Sequence, residues 1–112
     1  MRIAVSSMSK NINSNVAEVF GRCPYFILAE IKNKKIEKTE IIENKNIDQM
    51  GGVGVLTAKL MAEKNIDVVI TKNIGPRALD VLKQFDIAIY SGEGTIKDIL
   101  QEFIDEKLKK VD

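Results

Sequence analysis

The alternation of hydrophobic and polar positions divides the chain into a strand-rich first part and a second part in which strands and helices alternate. In the first part, short hydrophobic runs predict strands over residues 2–6, Tyr25–Lys32 and Lys35–Glu43. The dipeptide Asn33-Lys34 suits a tight turn, so the second and third strands are expected to form a hairpin. The charged side chains of the third strand are typical of a sheet edge, where they oppose aggregation.

In the second part, the hydrophobic positions follow the helical period, and short strands separate the helices. The first helix is predicted to begin near Val53. The second is predicted to begin at Pro76, a residue suited to the first helical turn, and the third to follow Thr95, a good N-cap. Short apolar runs at residues 67–71 and 87–90 are typical of buried parallel strands. The predicted order of elements is therefore β-β-β-α-β-α-β-α.

This order predicts one α/β domain over residues 1–112, built on a five-stranded mixed sheet. Consecutive βα units imply parallel strands with right-handed crossovers. The simplest arrangement has the strand order 3-2-1-4-5 with strand 2 antiparallel. The loops after strands 1, 3, 4 and 5 then leave one edge, the usual ligand-binding edge of open α/β sheets. The charged residues 107–112 are expected to fray.

Three glycine-containing loops are predicted to lie at that edge, each directly before a helix. A helix N-terminus presents unpaired N–H groups and positive potential, so these loops could bind an anion. Alternatively, the glycines only permit tight turns and close packing, and the loop before Thr95 is an ordinary helix cap. The candidate binding residues in the first two loops are Gly51, Gly52, Gly54, Asn73 and Gly75.

The composition narrows the classes of function. The chain has 112 residues, a formal net charge of +1, one cysteine and no histidine. The balanced charge argues against binding to nucleic acid or to a membrane surface, and no apolar stretch reaches the roughly 20 residues that span a bilayer. The lack of histidine excludes serine triads and zinc–histidine sites, and a single cysteine excludes an internal disulfide. We therefore expect a cytoplasmic protein.

Four segments together resemble a known family. Residues 20–26 read Phe-Gly-Arg-Cys-Pro-Tyr-Phe, residues 51–54 Gly-Gly-Val-Gly, residues 73–76 Asn-Ile-Gly-Pro, and residues 92–95 Gly-Glu-Gly-Thr. In this order and spacing they are similar to the motifs of the dinitrogenase iron–molybdenum-cofactor biosynthesis family, over essentially the whole chain. The resemblance implies a ribonuclease-H-like three-layer α/β/α fold. It also implies a small stand-alone protein, related to nitrogen fixation, that binds iron–molybdenum or related metal–sulfur clusters.

The resemblance adds Arg22 and Cys23 to the candidate cofactor-binding residues. On this basis Cys23 would be the metal ligand, as a thiolate whose ionisation the adjacent Arg22 assists. The alternative is that Cys23 is a small residue packed at the start of a strand. Met8 or Met50 would support soft ligation if either lay beside Cys23.

Three functions remain open from the sequence. The first is a non-enzymatic binding or carrier protein for a Mo/Fe or Mo/Cu sulfide cluster or a thiometallate precursor. The second is an enzyme or sensor that binds a small phosphorylated or carboxylated metabolite with the same loops, and the third is an interaction module for cluster-assembly proteins. Lys10, Arg22, Lys72 and Arg77 are expected near the site and would attract an anion, while Glu18 and Glu93 would partly offset their charge.

Overall fold

A six-stranded mixed β-sheet with three helices organises the chain. The computed structural model describes residues 1–45, 47 and 51–111. The strands are β1 (Arg2–Ser7), β2 (Tyr25–Lys32), β3 (Lys35–Glu43), β4 (Val68–Thr71), β5 (Ala88–Ser91) and β6 (Lys109–Val111). The helices are α1 (Val53–Glu63), α2 (Pro76–Gln84) and α3 (Ile96–Ile104). Within the described ranges, no helix has the length and apolar character needed to cross a membrane.

The strand order is β3-β2-β1-β4-β5-β6, so the predicted order of the first five strands is confirmed. β1 pairs antiparallel with β2 and parallel with β4, placing Val5 opposite Ile27 on one side and Ile70 on the other. β4 and β5 are also parallel. The loops that lead into α1, α2 and α3 therefore leave the same edge of the sheet, as the order of elements predicted.

The prediction of five strands with a fraying end was wrong, because β6 pairs antiparallel with β5. After α3 the chain reverses at Glu106, which has a φ of 58°, and Leu108 packs against the core. Val111 then lies opposite Ile89. A three-residue strand with two lysines has no recognisable strand pattern in the sequence. It forms a strand because it pairs with the free side of β5. Asp112 lies outside the described residues.

Two hydrophobic clusters cover the two faces of the sheet. Side chains alternate along each strand, so Ala4 of β1 belongs to one cluster while its neighbours Ile3 and Val5 belong to the other. The cluster with Ala4 includes buried residues of α1 and α2, and the other includes those of α3. Two helices therefore pack on one face and a single helix on the other.

Candidate functional site

A pocket of about 500 Å³ lies between the N-terminal ends of α1 and α2. It is lined by three segments, which are residues 19 and 21–22 of the β1–β2 loop, residues 52–55, and residues 75–78. Arg22, Gly52, Gly54 and Gly75 are thus brought together, as the sequence predicted. Cys23, Gly51 and Asn73 are not among the lining residues.

The β1–β2 loop is fixed to the start of α2 by a short backbone pairing with Asn73. Phe20 N–H donates to Asn73 O at 3.0 Å, and Asn73 N–H donates to Glu18 O at 2.9 Å. Both backbone polar groups of Asn73 are therefore used within the protein. Asn73 holds the rim of the pocket in place and leaves Val19 beside the opening, half-exposed at 47%.

Gly54 allows the three segments to approach closely. A Cβ atom at Gly21 would lie 3.0 Å from Gly54 Cα, and a Cβ atom at Gly54 would lie 3.2 Å from Ala78 Cβ. These distances are tighter than ordinary van der Waals contact, so side chains at Gly21 or Gly54 would push the segments apart. The packing explanation therefore holds for Gly54, and its consequence is that the two helix N-termini lie side by side.

Gly52 and Gly75 have no such packing role. A Cβ atom at either position would meet no atom within 4 Å. Gly52 needs glycine for a different reason, because its φ of 69° is left-handed. Gly75 has φ −72° and ψ 157°, which any residue adopts. The fold therefore gives no steric or conformational reason for glycine at position 75, where the open space belongs to the pocket.

The N-termini of α1 and α2 share a pattern that α3 lacks. The N-caps of α1 and α2, Gly52 and Gly75, provide no side-chain hydrogen bond, and neither first turn has an acidic residue. The first intrahelical bonds are donated by Leu56 and Leu79. Within the described part of the chain, no acceptor serves the earlier amides, which belong to Val53, Gly54, Val55, Arg77 and Ala78. These residues all line the pocket.

The N-terminus of α3 is satisfied within the protein. Ile96 N–H donates to Ser14 O at 2.9 Å, Lys97 N–H donates to Ile12 O at 3.0 Å, and Asp98 N–H donates to Thr95 Oγ1 at 3.3 Å. Asp98 also places a carboxylate in the first turn. The predicted cap at Thr95 is confirmed, and the third glycine loop precedes a helix whose amides are already paired.

Four basic residues were expected near the end of the sheet where these loops lie, and two of them line the pocket. Arg22 donates from Nη1 to Ile47 O at 3.0 Å, and Arg77 is exposed at the start of α2. Lys72 instead lies between two glutamates, with its Nζ 3.9 Å from Glu18 and 3.4 Å from Glu93. Lys10 lies elsewhere, with its Nζ 5.5 Å from the centre of the Tyr25 ring.

Cys23 lies in the core and not in the pocket. Its side chain is 2% exposed, and Sγ donates to Phe20 O at 3.3 Å. Burial raises the pKa of this thiol from its usual 9.0 to about 12, so it is a neutral thiol at physiological pH. This placement fits the packing alternative, and the metal-ligand role stays a prediction that the geometry does not favour. Met8 is 62% exposed, and Met50 lies outside the described residues.

Sequence reasoning missed the residues that support the pocket from below. The buried Asn44 donates from Nδ2 to Gly21 O at 3.1 Å and to Cys23 O at 2.9 Å. Thr57 Oγ1, which donates to Val53 O at 2.8 Å, also lies 3.3 Å from Gly21 O. A single asparagine after a strand and a threonine within a helix have no distinctive pattern, so no sequence signal marked them. In the ranges the structure describes, no three histidine, cysteine, aspartate or glutamate side chains form a group that could hold a metal ion.

The same fold and sequence pattern occur in known proteins. The apo form of the orange protein from Desulfovibrio gigas matches with a TM-score of 0.91 and 25% identity, over 98% of this chain and 92% of that one. A NifB-like protein from Thermotoga matches with a TM-score of 0.82 and 26% identity, over 97% and 91% of the two chains.

Sequence comparison extends this likeness to a family. An uncharacterized protein of Methanocaldococcus jannaschii is 39% identical over 99 residues, which are 88% of this chain and 84% of that protein. The family model described as dinitrogenase iron–molybdenum cofactor matches residues 1–106. With nearly the whole chain matched, this protein belongs to the dinitrogenase iron–molybdenum cofactor family.

Proposed function

We propose that this protein binds an anionic metal–sulfur cluster, or the thiometallate from which such a cluster is assembled, in the pocket between α1 and α2. The cluster is the cargo of a non-enzymatic carrier, and a Mo/Fe or Mo/Cu sulfide is the class that family membership favours. One observation carries the proposal, namely that the first amides of two helices, for which no described residue is an acceptor, belong to residues lining the same pocket, with no acidic residue in either first turn.

The charge of the pocket suits an anion. Each helix N-terminus is equivalent to about half a positive charge, so the two termini together contribute about one. Arg22 and Arg77 add two guanidinium groups at the pocket wall, and guanidinium groups form strong hydrogen bonds to anions. Glu18 and Glu93, which were expected to offset the positive charge, are paired with Lys72, which lies outside the lining.

The side chains of the pocket favour a soft anion over a strongly hydrated one. Val19, Val53, Val55 and Pro76 are apolar parts of the lining. A phosphate placed against them would lose water without gaining a hydrogen bond on that side, which is costly. Sulfur is polarisable, so a sulfide-covered cluster loses less against an apolar wall, and its negative charge lets it accept bonds from the amides and arginines.

The shape of the pocket supports the same ligand class. Its volume of about 500 Å³ lies within the range of ordinary small-ligand sites, roughly 300–1,000 Å³. Gly75 leaves open a space at the pocket wall that a methyl group would fill. The ligand can therefore approach this part of the wall without a side chain of residue 75 in its way.

The proposal also covers how the ligand is held, how the fold is classified and where the cargo is delivered. The ligand is held by backbone amides and arginines, and the proposal needs no thiolate from Cys23. The arrangement of two helices on one face and one on the other supports a ribonuclease-H-like classification of the fold. Delivery to cluster-assembly proteins in the cytoplasm follows from the role as a carrier.

The direct test is an anaerobic titration with tetrathiomolybdate, followed by the absorption changes of the bound anion. Removing one charge-assisted hydrogen bond costs about 1.5–3 kcal/mol, so Arg77→Gln should weaken binding by about 10-fold or more. Lys83→Gln is the matched control, because it removes one positive charge from the last turn of the same helix. Its affinity should stay within about twofold of the wild-type value.

The alternative functions predict different outcomes in this titration and in a thermal-stability measurement. If the wild-type protein takes up no thiometallate, or if both variants bind equally well, this proposal is wrong. Thermal stabilisation by phosphorylated metabolites but not by tetrathiomolybdate would favour the metabolite-binding function instead, since specific ligands raise the apparent stability of the folded state.

A further inference from the structure

The two outermost strands of the sheet, β3 and β6, differ in their charge pattern. β6 is a three-residue edge strand with Lys109 and Lys110, so two copies of it would bring like charges together. β3 is a nine-residue edge strand with the sequence Lys-Ile-Glu-Lys-Thr-Glu-Ile-Ile-Glu, and most of its residues are exposed. It carries both signs of charge, with Lys35, Glu37 and Lys38 in its first half and Glu40 and Glu43 in its second half.

The backbone groups on the outer side of β3 can be assigned from the pairing of its neighbours. Met1 and Ile31 exchange both hydrogen bonds between their backbones, and bonded pairs alternate along an antiparallel ladder. The odd-numbered residues of β2 therefore bond to β1, and its even-numbered residues bond to β3. Leu28 lies opposite Glu40, so Glu40 directs its backbone inward, while Thr39, the next residue, directs its N–H and C=O outward.

A second β3 strand fits this edge when it runs antiparallel and is centred on Thr39. Lys38 then lies opposite Glu40 of the partner subunit, and Glu40 lies opposite Lys38 of the partner subunit. The β2–β3 pairing shifts register between Glu30 and Ile31, opposite residues 36–38, so the proposed pairing is regular from Lys38 to Glu40 of each strand. Registers centred on Lys38 or Glu40 would instead place like charges opposite each other, which destabilises a strand pair.

The surfaces beside β3 leave room for the partner strand. A groove of about 610 Å³ lies on the face of α3, where it is lined by Ile12 and Ile27, and one of about 580 Å³ lies on the face of α1, where it is lined by Leu56 and Leu60. Both grooves include Ile41, whose side chain is 46% exposed. A strand added at this edge would cover Ile41 from the side and close both grooves.

From the charge pattern and the backbone direction, we infer that two copies of this chain pair through β3, antiparallel and centred on Thr39, to form one continuous sheet. An interface made mainly of two edge strands is small, and small interfaces are weak. The dimer should therefore dissociate with a constant in the range of about 10 µM to 1 mM. It does not depend on ligand binding, because β3 contributes no residue to the pocket between α1 and α2.

The test uses charge reversal followed by mixing, measured by sedimentation velocity over a range of protein concentrations. Glu40→Lys places two lysine pairs across the two-fold axis, and Lys38→Glu places two glutamate pairs there. Each variant alone should dimerise at least about 10-fold more weakly than the wild type. An equimolar mixture restores both opposite-charge pairs and should form a heterodimer with an affinity near the wild-type value.

The control is Asp80→Lys, which makes the same two-unit charge change at an exposed position of α2 and should leave dimerisation unchanged. Because positions 38 and 40 are exposed, both single variants should keep the wild-type circular dichroism spectrum and unfolding midpoint. A wild-type protein that stays monomeric at about 1 mM, single variants that dimerise as well as the wild type, or a mixture that fails to recover would each overturn the inference.

Discussion

Gly75→Ala adds one methyl group to the pocket and is expected to weaken ligand binding without weakening the fold. The backbone at this position has φ −72° and ψ 157°, which alanine adopts without strain. The added Cβ atom meets no other atom within 4 Å. The substitution therefore creates neither a clash nor a left-handed alanine.

The expected change in the free energy of unfolding is small because two effects oppose each other. Replacing glycine with alanine at a compatible position stabilises a protein by about 0.4–1 kcal/mol, since the unfolded chain loses conformational freedom. Alanine is a poorer N-cap than glycine, which costs a similar amount. The net change should therefore be within about 1 kcal/mol of zero.

The expected change in binding is larger. The methyl group would occupy open space at the pocket wall and displace an anion bound there, at the expense of its hydrogen bonds to the first turn of α2. Losing one hydrogen bond to a charged group costs about 1.5–3 kcal/mol, which corresponds to a roughly 10- to 150-fold weaker affinity for tetrathiomolybdate. The affinity is measured by absorption titration, and stability by urea unfolding without ligand.

Gly51→Ala provides the matched control. A Cβ atom at position 51 would also meet no atom within 4 Å, but Gly51 does not line the pocket. The affinity of this variant for thiometallate should remain near the wild-type value. A Gly75→Ala protein that folds normally and binds with wild-type affinity would refute the assignment of this pocket. Equal weakening by Gly51→Ala would show that the effect does not arise from the pocket lining.

Two further predictions concern residues outside the pocket. Burial raises the pKa of Cys23 from 9.0 to about 12, so the unfolded chain loses this proton first as the pH rises. The stabilisation that is fully present below about pH 9 is therefore lost toward pH 12, at about 1.4 kcal/mol of unfolding free energy per pH unit. The difference in unfolding free energy between wild type and Cys23→Ala should therefore shrink above pH 9, and a difference that is constant with pH would contradict the buried neutral thiol. Thr95→Ala removes the cap of α3 and should cost about 1 kcal/mol in urea unfolding. Its thiometallate affinity should be unchanged, and a loss of affinity would place α3 in the site.

The sequence alone predicted most of the fold because its signals are local and the rules that join them are few. The turn at Asn33 and Lys34 and the strand–helix alternation after Val53 indicated the order of the first five strands, since parallel crossovers are right-handed. The same rule placed the glycine loops at one edge. β6 could not be predicted in this way, because Lys109–Val111 becomes a strand only through pairing with β5.

The candidate site shows the same division. Arg22, Gly52, Gly54 and Gly75 were identified from the sequence and do line one pocket. The direction of the Cys23 side chain was not determined, because a cysteine before a strand can face the loop edge or the core. Its burial results from long-range packing of the β1–β2 loop, supported by Asn44.

By itself, the sequence of this protein determined which loops meet at the edge of the sheet and which helices begin there, because hydrophobic periodicity, turn residues and crossover handedness are properties of short segments. Only the tertiary structure decided which helix N-termini remain unpaired. The β1–β2 loop supplies acceptors to the amides of α3 through Ser14 and Ile12. Gly21 and Gly54 bring α1 and α2 together, and no described residue accepts from the first amides of these two helices. That difference depends on contacts between segments distant in the chain, which no local pattern records.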